Sequence, residues 1–407
     1  MTRRSARPSA PLFALFVSLA ALAGYLTLSP GLANPTANPT AGPIADAPRR
    51  AALRPTADGA RAYAHIKFLA SNELKGRKSG TPEYRRAAEY VAAEMAKAGL
   101  KPGGDNGTWF QEVPFKNWSD FEQPIRLEIL APRPRVYFAG RGRDFVPFSG
   151  TGSGRVRGGL VFAGYGVASD GDSWDDYAGL DVKGKIVVLM PDLPASLGTG
   201  AAAEWTFDRK VRTAAGKGAV GLIEMDLSTP GERPQPGQRR RPGMLRPGQC
   251  PEGFVVMRAG RDFLDDAFYL VGGSWRDLVS KTLRLKRPFP LDLGVEAEME
   301  ARFVSGERTA PNVIGILPGA DPKLKNEAIV IGGHLDHLGV GVDGWVYPGA
   351  DDNATSAATV LETARALRDA GFKPARTIVF GSWAGEELGL QGSRWYTEHP
   401  VIPLDKT

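Results

Sequence analysis

The sequence is poor in residues that could cross-link it. Cys250 is the one cysteine among 407 residues, so the chain cannot form an internal disulfide, and cysteine usage does not identify its compartment. Because Cys250 lies in mid-chain, it is not placed to carry an N-terminal lipid. We interpret it as a small, partly buried thiol.

The chain also lacks the basic surface pattern that binds nucleic acid. Its formal net charge is +6, and part of that excess lies in three N-terminal arginines and in the Arg/Pro-rich residues 233–247. Nucleic-acid binding favours basic residues on one face with interleaved aromatic residues, and the sequence shows no such face. The composition therefore argues against a nucleic-acid partner. Its 42% hydrophobic residues suffice for a sizeable core, and its length favours two domains.

Only one run of residues is long and apolar enough to approach a membrane span, and it lies at the N-terminus. Three arginines precede the apolar residues 12–28, and small residues follow up to Ala33. This order is typical of a secretory signal peptide, which we predict for residues 1–33. An uncleaved membrane anchor is the alternative, since the run could nearly cross a bilayer. We therefore expect a secreted or periplasmic protein.

The rest of the chain divides by composition. Residues 34–55 are rich in Pro, Ala and Thr and predict a flexible linker. Residues 56–132 contain helical patterns, one of which Thr81 is suited to begin. Short β-like runs dominate residues 133–298 and predict a β-rich module, with one helix near residues 202–217, inserted into the larger domain. Residues 299–407 then continue that domain.

Strands alternate with a helix beyond residue 311. Apolar runs predict strands that begin at Asn312, Ala328 and Thr377, and residues 354–370 predict a helix. The second run is continuously apolar, so we expect that strand to be buried on both faces. The pattern predicts an α/β fold with an open mixed sheet and flanking helices.

Histidine and acidic residues follow two of these strands and open the helix between them. Open α/β sheets bind ligands beyond the carboxyl ends of their strands, so we expect these side chains at one rim. Imidazole and carboxylate groups suit zinc, and two adjacent glutamates could provide a ligand and a general base. The residues are His334, Asp336, His337, Asp351, Asp352, Glu386 and Glu387.

Each segment alone also has a purely structural interpretation. An Asp-Asp-Asn run before a helix is typical of an N-cap, and glutamates in a first helical turn are favoured by the helix dipole. Histidine is also a common structural residue. The joint occurrence of the three segments at strand ends is what favours a metal site.

The three segments resemble the successive site motifs of M28 metallopeptidases. They are Gly-Gly-His334-Leu-Asp336-His337, Gly-Ala-Asp-Asp352-Asn-Ala and Gly-Glu386-Glu387-Leu-Gly-Leu-Gln-Gly-Ser, in matching order and spacing. Residues 133–298 also resemble a protease-associated (PA) domain, in Gly164-Tyr-Gly-Val, in the stretch after Asp175 and in Ala215-Gly-Lys-Gly-Ala-Val-Gly. The resemblance implies the α/β fold of the zinc exopeptidases.

The resemblance implies a role for each site residue. His334 would bind one Zn²⁺ ion, Glu387 would bind a second, and Asp352 would bridge the two. Glu386 would be the general base. Asp336 would hold His334 in its metal-binding tautomer.

Two features of the resemblance stay open on the sequence alone. Asp351 could align with the bridging residue instead of Asp352. Asp352 is preferred because it adjoins the helix start. The family has two further ligands, an acidic residue and then a histidine, beyond its Glu-Glu motif, and this chain ends at Thr407 before a matching strand. His399 stands where the family has no ligand, so we interpret it as a bystander. We therefore expect a C-terminally truncated, inactive form.

The implied activity is that of a zinc-dependent aminopeptidase. Such a metalloexopeptidase hydrolyses the N-terminal peptide bond of peptides through a metal-bound hydroxide. One alternative is another zinc enzyme on the same scaffold, a carboxypeptidase or a glutaminyl cyclase-like enzyme. The other alternative is a non-catalytic M28-like binding protein or an inactive fragment. Peptides are the expected partners in the catalytic case, and the sequence leaves the oligomeric state open.

Overall fold

The structure, a computed structural model, describes residues 57–140, 144–168, 174–197, 200–227, 244–271, 274–285 and 287–407. The predicted signal peptide, the predicted linker and most of the Arg/Pro-rich stretch lie outside these ranges. Within them, no helix combines the length and the apolar character that crossing a bilayer requires.

The described chain contains both helices and strands, often in runs of one type. The helices are α1 (Gly59–Leu69), α2 (Pro82–Lys97), α3 (Ala201–Glu204), α4 (Phe207–Gly216), α5 (Arg261–Ala267), α6 (Trp275–Leu285), α7 (Thr355–Asp369) and α8 (Gln391–Glu398). The strands are β1 (Lys101–Pro102), β2 (Phe110–Ala131), β3 (Arg135–Tyr137), β4 (Phe145–Pro147), β5 (Gly154–Phe162), β6 (Ile186–Leu189), β7 (Gly221–Met225), β8 (Val255–Ala259), β9 (Leu291–Leu317), β10 (Ala328–His334), β11 (Gly339–Val340), β12 (Val346–Tyr347) and β13 (Thr377–Trp383).

Two long strands organise the sheet. β2 and β9 pair antiparallel along most of their length, with three register shifts. β9 also pairs with β13 near its C-terminal end and with β5 near its N-terminal end, which joins the described strands in the order β10-β13-β9-β5-β6-β7-β8-β4. The β10–β13 pair and the β5-β6-β7-β8 run are parallel. The predicted mixed α/β sheet is confirmed.

Separate apolar clusters cover the two halves of this sheet. Around β13, helices α2 and α7 pack on the sheet, and Leu361 lies in one cluster with Phe380. Leu160 and Val255 belong to another cluster, made by strands β2 to β9 and helices α5 and α6. The predicted boundary at residue 298 falls inside β9, so this strand belongs to both halves.

Two expectations differ from the structure. β10 is not buried on both faces: Ile329 is 51% exposed. Among the described strands, β10 is also the end strand of the sheet and pairs with β13 alone. The helix expected near residues 202–217 is divided into α3 and α4. The break follows from Thr206, whose hydroxyl accepts from the backbone N–H of Arg209 and so caps a new helix.

Helix α2 begins after Thr81, as the sequence predicts. Thr81 Oγ1 accepts a hydrogen bond from the backbone N–H of Tyr84 at 3.2 Å, and Pro82 occupies the first helical position. The Tyr84 side chain is buried, and its hydroxyl donates to Pro311 O at 2.8 Å. The capped first turn thereby ties α2 to β9.

We predict that Thr81→Ala destabilises the protein by about 1 kcal/mol, because the substitution removes an N-cap acceptor. Thr81→Ser keeps the hydroxyl and should stay close to the wild type. Urea unfolding followed by circular dichroism measures both variants. Equal stability of the alanine and serine variants would show that the cap contributes nothing.

Candidate metal centre

The parallel pairing of β10 and β13 brings two of the three segments to one edge. Its register sets His334 opposite Trp383, so the residues that follow each strand emerge side by side. The third segment opens α7, which lies directly against β10. A Cβ added to Gly333 would lie 1.4 Å from Ser356 Oγ, so glycine is needed there for the helix to approach the strand.

Side chains from all three segments meet at this edge. His334 Nε2 lies 3.1 Å from Asp352 Oδ1 and 4.0 Å from Glu386 Oε2. His337 Nδ1 lies 2.7 Å from Glu387 Oε1. One ligand atom from each of His337, Asp352 and Glu387 lies within 4.8 Å of the other two. Two histidine–carboxylate pairs are therefore adjacent, and Asp352 is close to both.

The family resemblance implies no role for His337. The residue was visible in the His-x-Asp-His run, but only the fold shows that its ring faces Glu387. Asp351 takes part in a different contact, since its carbonyl accepts from Thr355 Oγ1 at 2.7 Å. His399 stacks on Trp395, with 4.0 Å between the ring centroids.

Asp336 lies beneath the candidate ligands. Its side chain is fully buried, and Oδ1 accepts from the backbone N–H of Glu386 at 3.1 Å. Oδ1 is 3.7 Å from His334 Nδ1, too far for a hydrogen bond, whereas the Asp336 carbonyl is 3.1 Å away. The expected support of His334 by the Asp336 carboxylate is thus replaced here by a main-chain contact. The carboxylate holds the Glu386 backbone instead.

The electrostatic environment of Asp336 is that of a buried acid. Burial raises the pKa of Asp336 to about 6, while the Glu386 N–H and the neighbouring His334 oppose that rise. Its Oδ2 atom is buried without a hydrogen-bond partner in the described part of the chain.

Two buried polar residues hold the Glu386–Glu387 segment from behind. Asn312 Oδ1 accepts from Ala384 N at 2.9 Å, and Ser79 Oγ accepts from Gly385 N at 2.8 Å. Both side chains are fully buried. The backbone that leads into the two glutamates is therefore fixed by residues from distant parts of the chain.

The comparison with protein families agrees with the site motifs. Residues 312–407 match the family model described as Peptidase family M28. This segment includes all the candidate ligands described above. The M28 resemblance is therefore confirmed for this segment.

Individual relatives extend the similarity towards the N-terminus. An aminopeptidase of Pseudomonas aeruginosa (strain UCBPP-PA14) is 25% identical over 346 residues, which are 84% of this chain and 53% of that protein. A glutamate carboxypeptidase 2 homolog of Caenorhabditis elegans is 26% identical over an alignment of 390 positions, gaps included, which covers 81% of this chain and 47% of that protein. The chain thus spans about half the length of these curated relatives.

A solved structure aligns over a similar span. The aminopeptidase from Aneurinibacillus sp. strain AM-1 superimposes with a TM-score of 0.47 and 22% sequence identity. The alignment covers 86% of this chain and 68% of that chain.

We predict that Asn312→Ala destabilises the protein by about 2 to 3 kcal/mol, because it leaves buried backbone groups without partners. Gln391→Ala is the matched control: Gln391 is only partly buried and donates to Leu388 O from the helix start. It should cost less than about 1 kcal/mol. Urea denaturation compares the two, and equal losses would contradict a special role for Asn312.

Proposed function

We propose that this protein is a zinc-dependent aminopeptidase, which hydrolyses the N-terminal peptide bond of peptides. The proposal is carried by one observation: His334, Asp352 and Glu387 converge beside Glu386 within the segment that matches Peptidase family M28. The aminopeptidase of Pseudomonas aeruginosa, similar over most of this chain, supports an exopeptidase that acts at the N-terminus.

The side chains at the site suit zinc. Imidazole nitrogen and carboxylate oxygen are ligands that zinc accepts. Several carboxylates share one edge of the sheet, so a bound cation would offset their mutual repulsion. His334, Asp352 and Glu387 would hold the metal. His337, 2.7 Å from Glu387, is a further candidate donor.

The placement of Glu386 suits a general base. Its side chain is 39% exposed, so it can meet a water molecule, while Oε2 lies 4.0 Å from His334 Nε2. Zinc at these residues supplies Lewis acidity, which polarises a peptide carbonyl and lowers the pKa of water. Glu386 then accepts the proton of the attacking water and returns it to the leaving amine. Asp336 holds the Glu386 backbone in place for both transfers.

A carboxypeptidase on the same scaffold is the second candidate. The similarity to the glutamate carboxypeptidase 2 homolog of Caenorhabditis elegans favours it. The two activities differ in which terminus of the peptide must be free.

Two proposals concern the protein outside this site. We infer secretion or periplasmic export from the basic, apolar and small-residue pattern of residues 1–33. We also infer a PA-like insertion in residues 133–298. The apolar cluster formed by Phe148, Val187 and Val256 with their neighbours supports it, since all three of these residues belong to that segment.

We predict that Glu386→Gln lowers kcat by about 10²- to 10⁴-fold, because it removes the general base. Zinc content, measured by elemental analysis, should stay at the wild-type level. His399→Ala is the control and should leave the rate unchanged. An unchanged rate in Glu386→Gln would overturn the assigned role.

A second prediction concerns which terminus of the peptide substrate must be free. Peptides with a free amino terminus should be cleaved, and the same peptides with an acetylated amino terminus should not. A zinc chelator should abolish cleavage, and added zinc should restore it. Cleavage of acetylated peptides from the carboxyl end would instead establish the carboxypeptidase alternative.

A further inference from the structure

Arg77 is the largest polar side chain among the fully buried residues of the described chain, and it lies behind the candidate metal centre. It is 0% exposed and has a left-handed backbone, with φ of 46°. Gly76 before it permits close packing, since a Cβ there would lie 2.3 Å from Tyr347 O. Burial of a whole guanidinium is costly unless its donors are satisfied.

The guanidinium of Arg77 donates four hydrogen bonds, and all four acceptors are backbone carbonyls. Nε donates to Leu335 O at 2.7 Å, and Nη2 donates to Gly349 O at 2.9 Å. Nη1 donates to Pro348 O at 2.6 Å and to Leu69 O at 2.7 Å. One planar group thus joins three separate segments of the chain.

Two of these segments carry the candidate ligands. Leu335 follows His334 directly, and Gly349 lies three residues before Asp352. The Arg77 backbone adds a further contact, since its carbonyl accepts from the backbone N–H of His337 at 3.3 Å. Any shift of one ligand segment relative to the other would break several of these bonds together. A lysine could not replace them, because its ammonium lacks the planar fork of donors.

The charge of Arg77 also matches the site. Burial lowers the pKa of Arg77 to about 10, and attraction to Asp336, Asp352 and Glu387 opposes that fall, so the guanidinium stays positive at neutral pH. Its hydrogen bonds go to neutral carbonyls, which leaves the charge to act on these carboxylates at a distance. A fixed positive charge behind clustered carboxylates lowers their repulsion.

We infer that Arg77 is a positioning residue for the candidate metal centre. It holds the His334–His337 segment and the Asp351–Asp352 segment in the ligand arrangement before a metal arrives. The inference rests on the proposed zinc site and adds to it a buried residue outside the ligand set. Groups that orient metal ligands without touching the metal commonly change metal affinity by 10- to 100-fold.

The test is zinc affinity, measured by competition with a chromophoric chelator. Arg77→Lys keeps the charge without the fork, and Arg77→Gln removes the charge. Both variants should bind zinc about 10- to 100-fold more weakly than the wild type. Val91→Ala, which truncates a buried side chain in α2, controls for lost stability and should bind zinc as the wild type does. Wild-type zinc affinity in folded Arg77→Lys and Arg77→Gln would overturn the inference.

His334→Ala in the same titration separates the two claims. If the wild type binds zinc and His334→Ala does not, the metal centre stands, and the Arg77 variants alone decide the role of Arg77. If the wild type binds no zinc, or if His334→Ala binds it unchanged, the proposed metal centre fails and the inference fails with it. Absorption of the Co²⁺-loaded proteins gives a second readout, since a displaced ligand changes the visible bands.

Hydrogen exchange of the metal-free wild type tests the inference even if both Arg77 variants fail to fold. The backbone N–H groups of Leu335 and His337 donate to Trp383 O and Arg77 O. Their amides should exchange slowly without zinc, and added zinc should slow them little further. Fast exchange that becomes slow only with zinc would show that the segments are ordered by the metal, and it would overturn the inference.

Discussion

The parallel register between β10 and β13 is the constraint on which the site depends. It sets His334 opposite Trp383, so the chain leaves both strands at the same level of the sheet. A shift by one residue would turn every side chain of one strand to the other face. His334 would then face away from Asp352, which lies 3.1 Å from its Nε2 in the observed register, and the site would lose that contact.

Buried polar contacts fix the backbone of the segments that this register brings together. Asp336 and Ser79 accept from the backbone of the Glu386 segment, and Arg77 joins the two loops that carry His334 and Asp352. A buried polar network stabilises one arrangement when its members are satisfied. Asp352 is the open one among the candidate ligands: its side chain is 64% exposed, against 11% for His334 and 19% for Glu387. Rigid support behind accessible ligands is what a metal-dependent hydrolase requires.

The sequence predicted those parts of the structure that local pattern determines. The strand starting at Thr377, helix α7 and the cap at Thr81 follow from apolar periodicity and capping chemistry, and the structure has them. Long-range contacts have no local pattern of this kind, and the sequence did not predict them. Arg77 meets Gly349 across 272 positions, and β9 continues across the predicted boundary at residue 298. Partners so distant in sequence leave no periodic signal. The exposure of β10 likewise depends on its surroundings in the fold and not on its own apolar run.

The three segments are proposed to hold zinc where their side chains converge. Anomalous X-ray diffraction at the zinc edge, on crystals soaked in zinc, tests it most directly. The anomalous peak should lie within bonding distance of His334 Nε2 and of carboxylate oxygens of Asp352 and Glu387. Zinc bound away from these atoms, or no zinc peak at this edge of the sheet, would rule out the proposed zinc site.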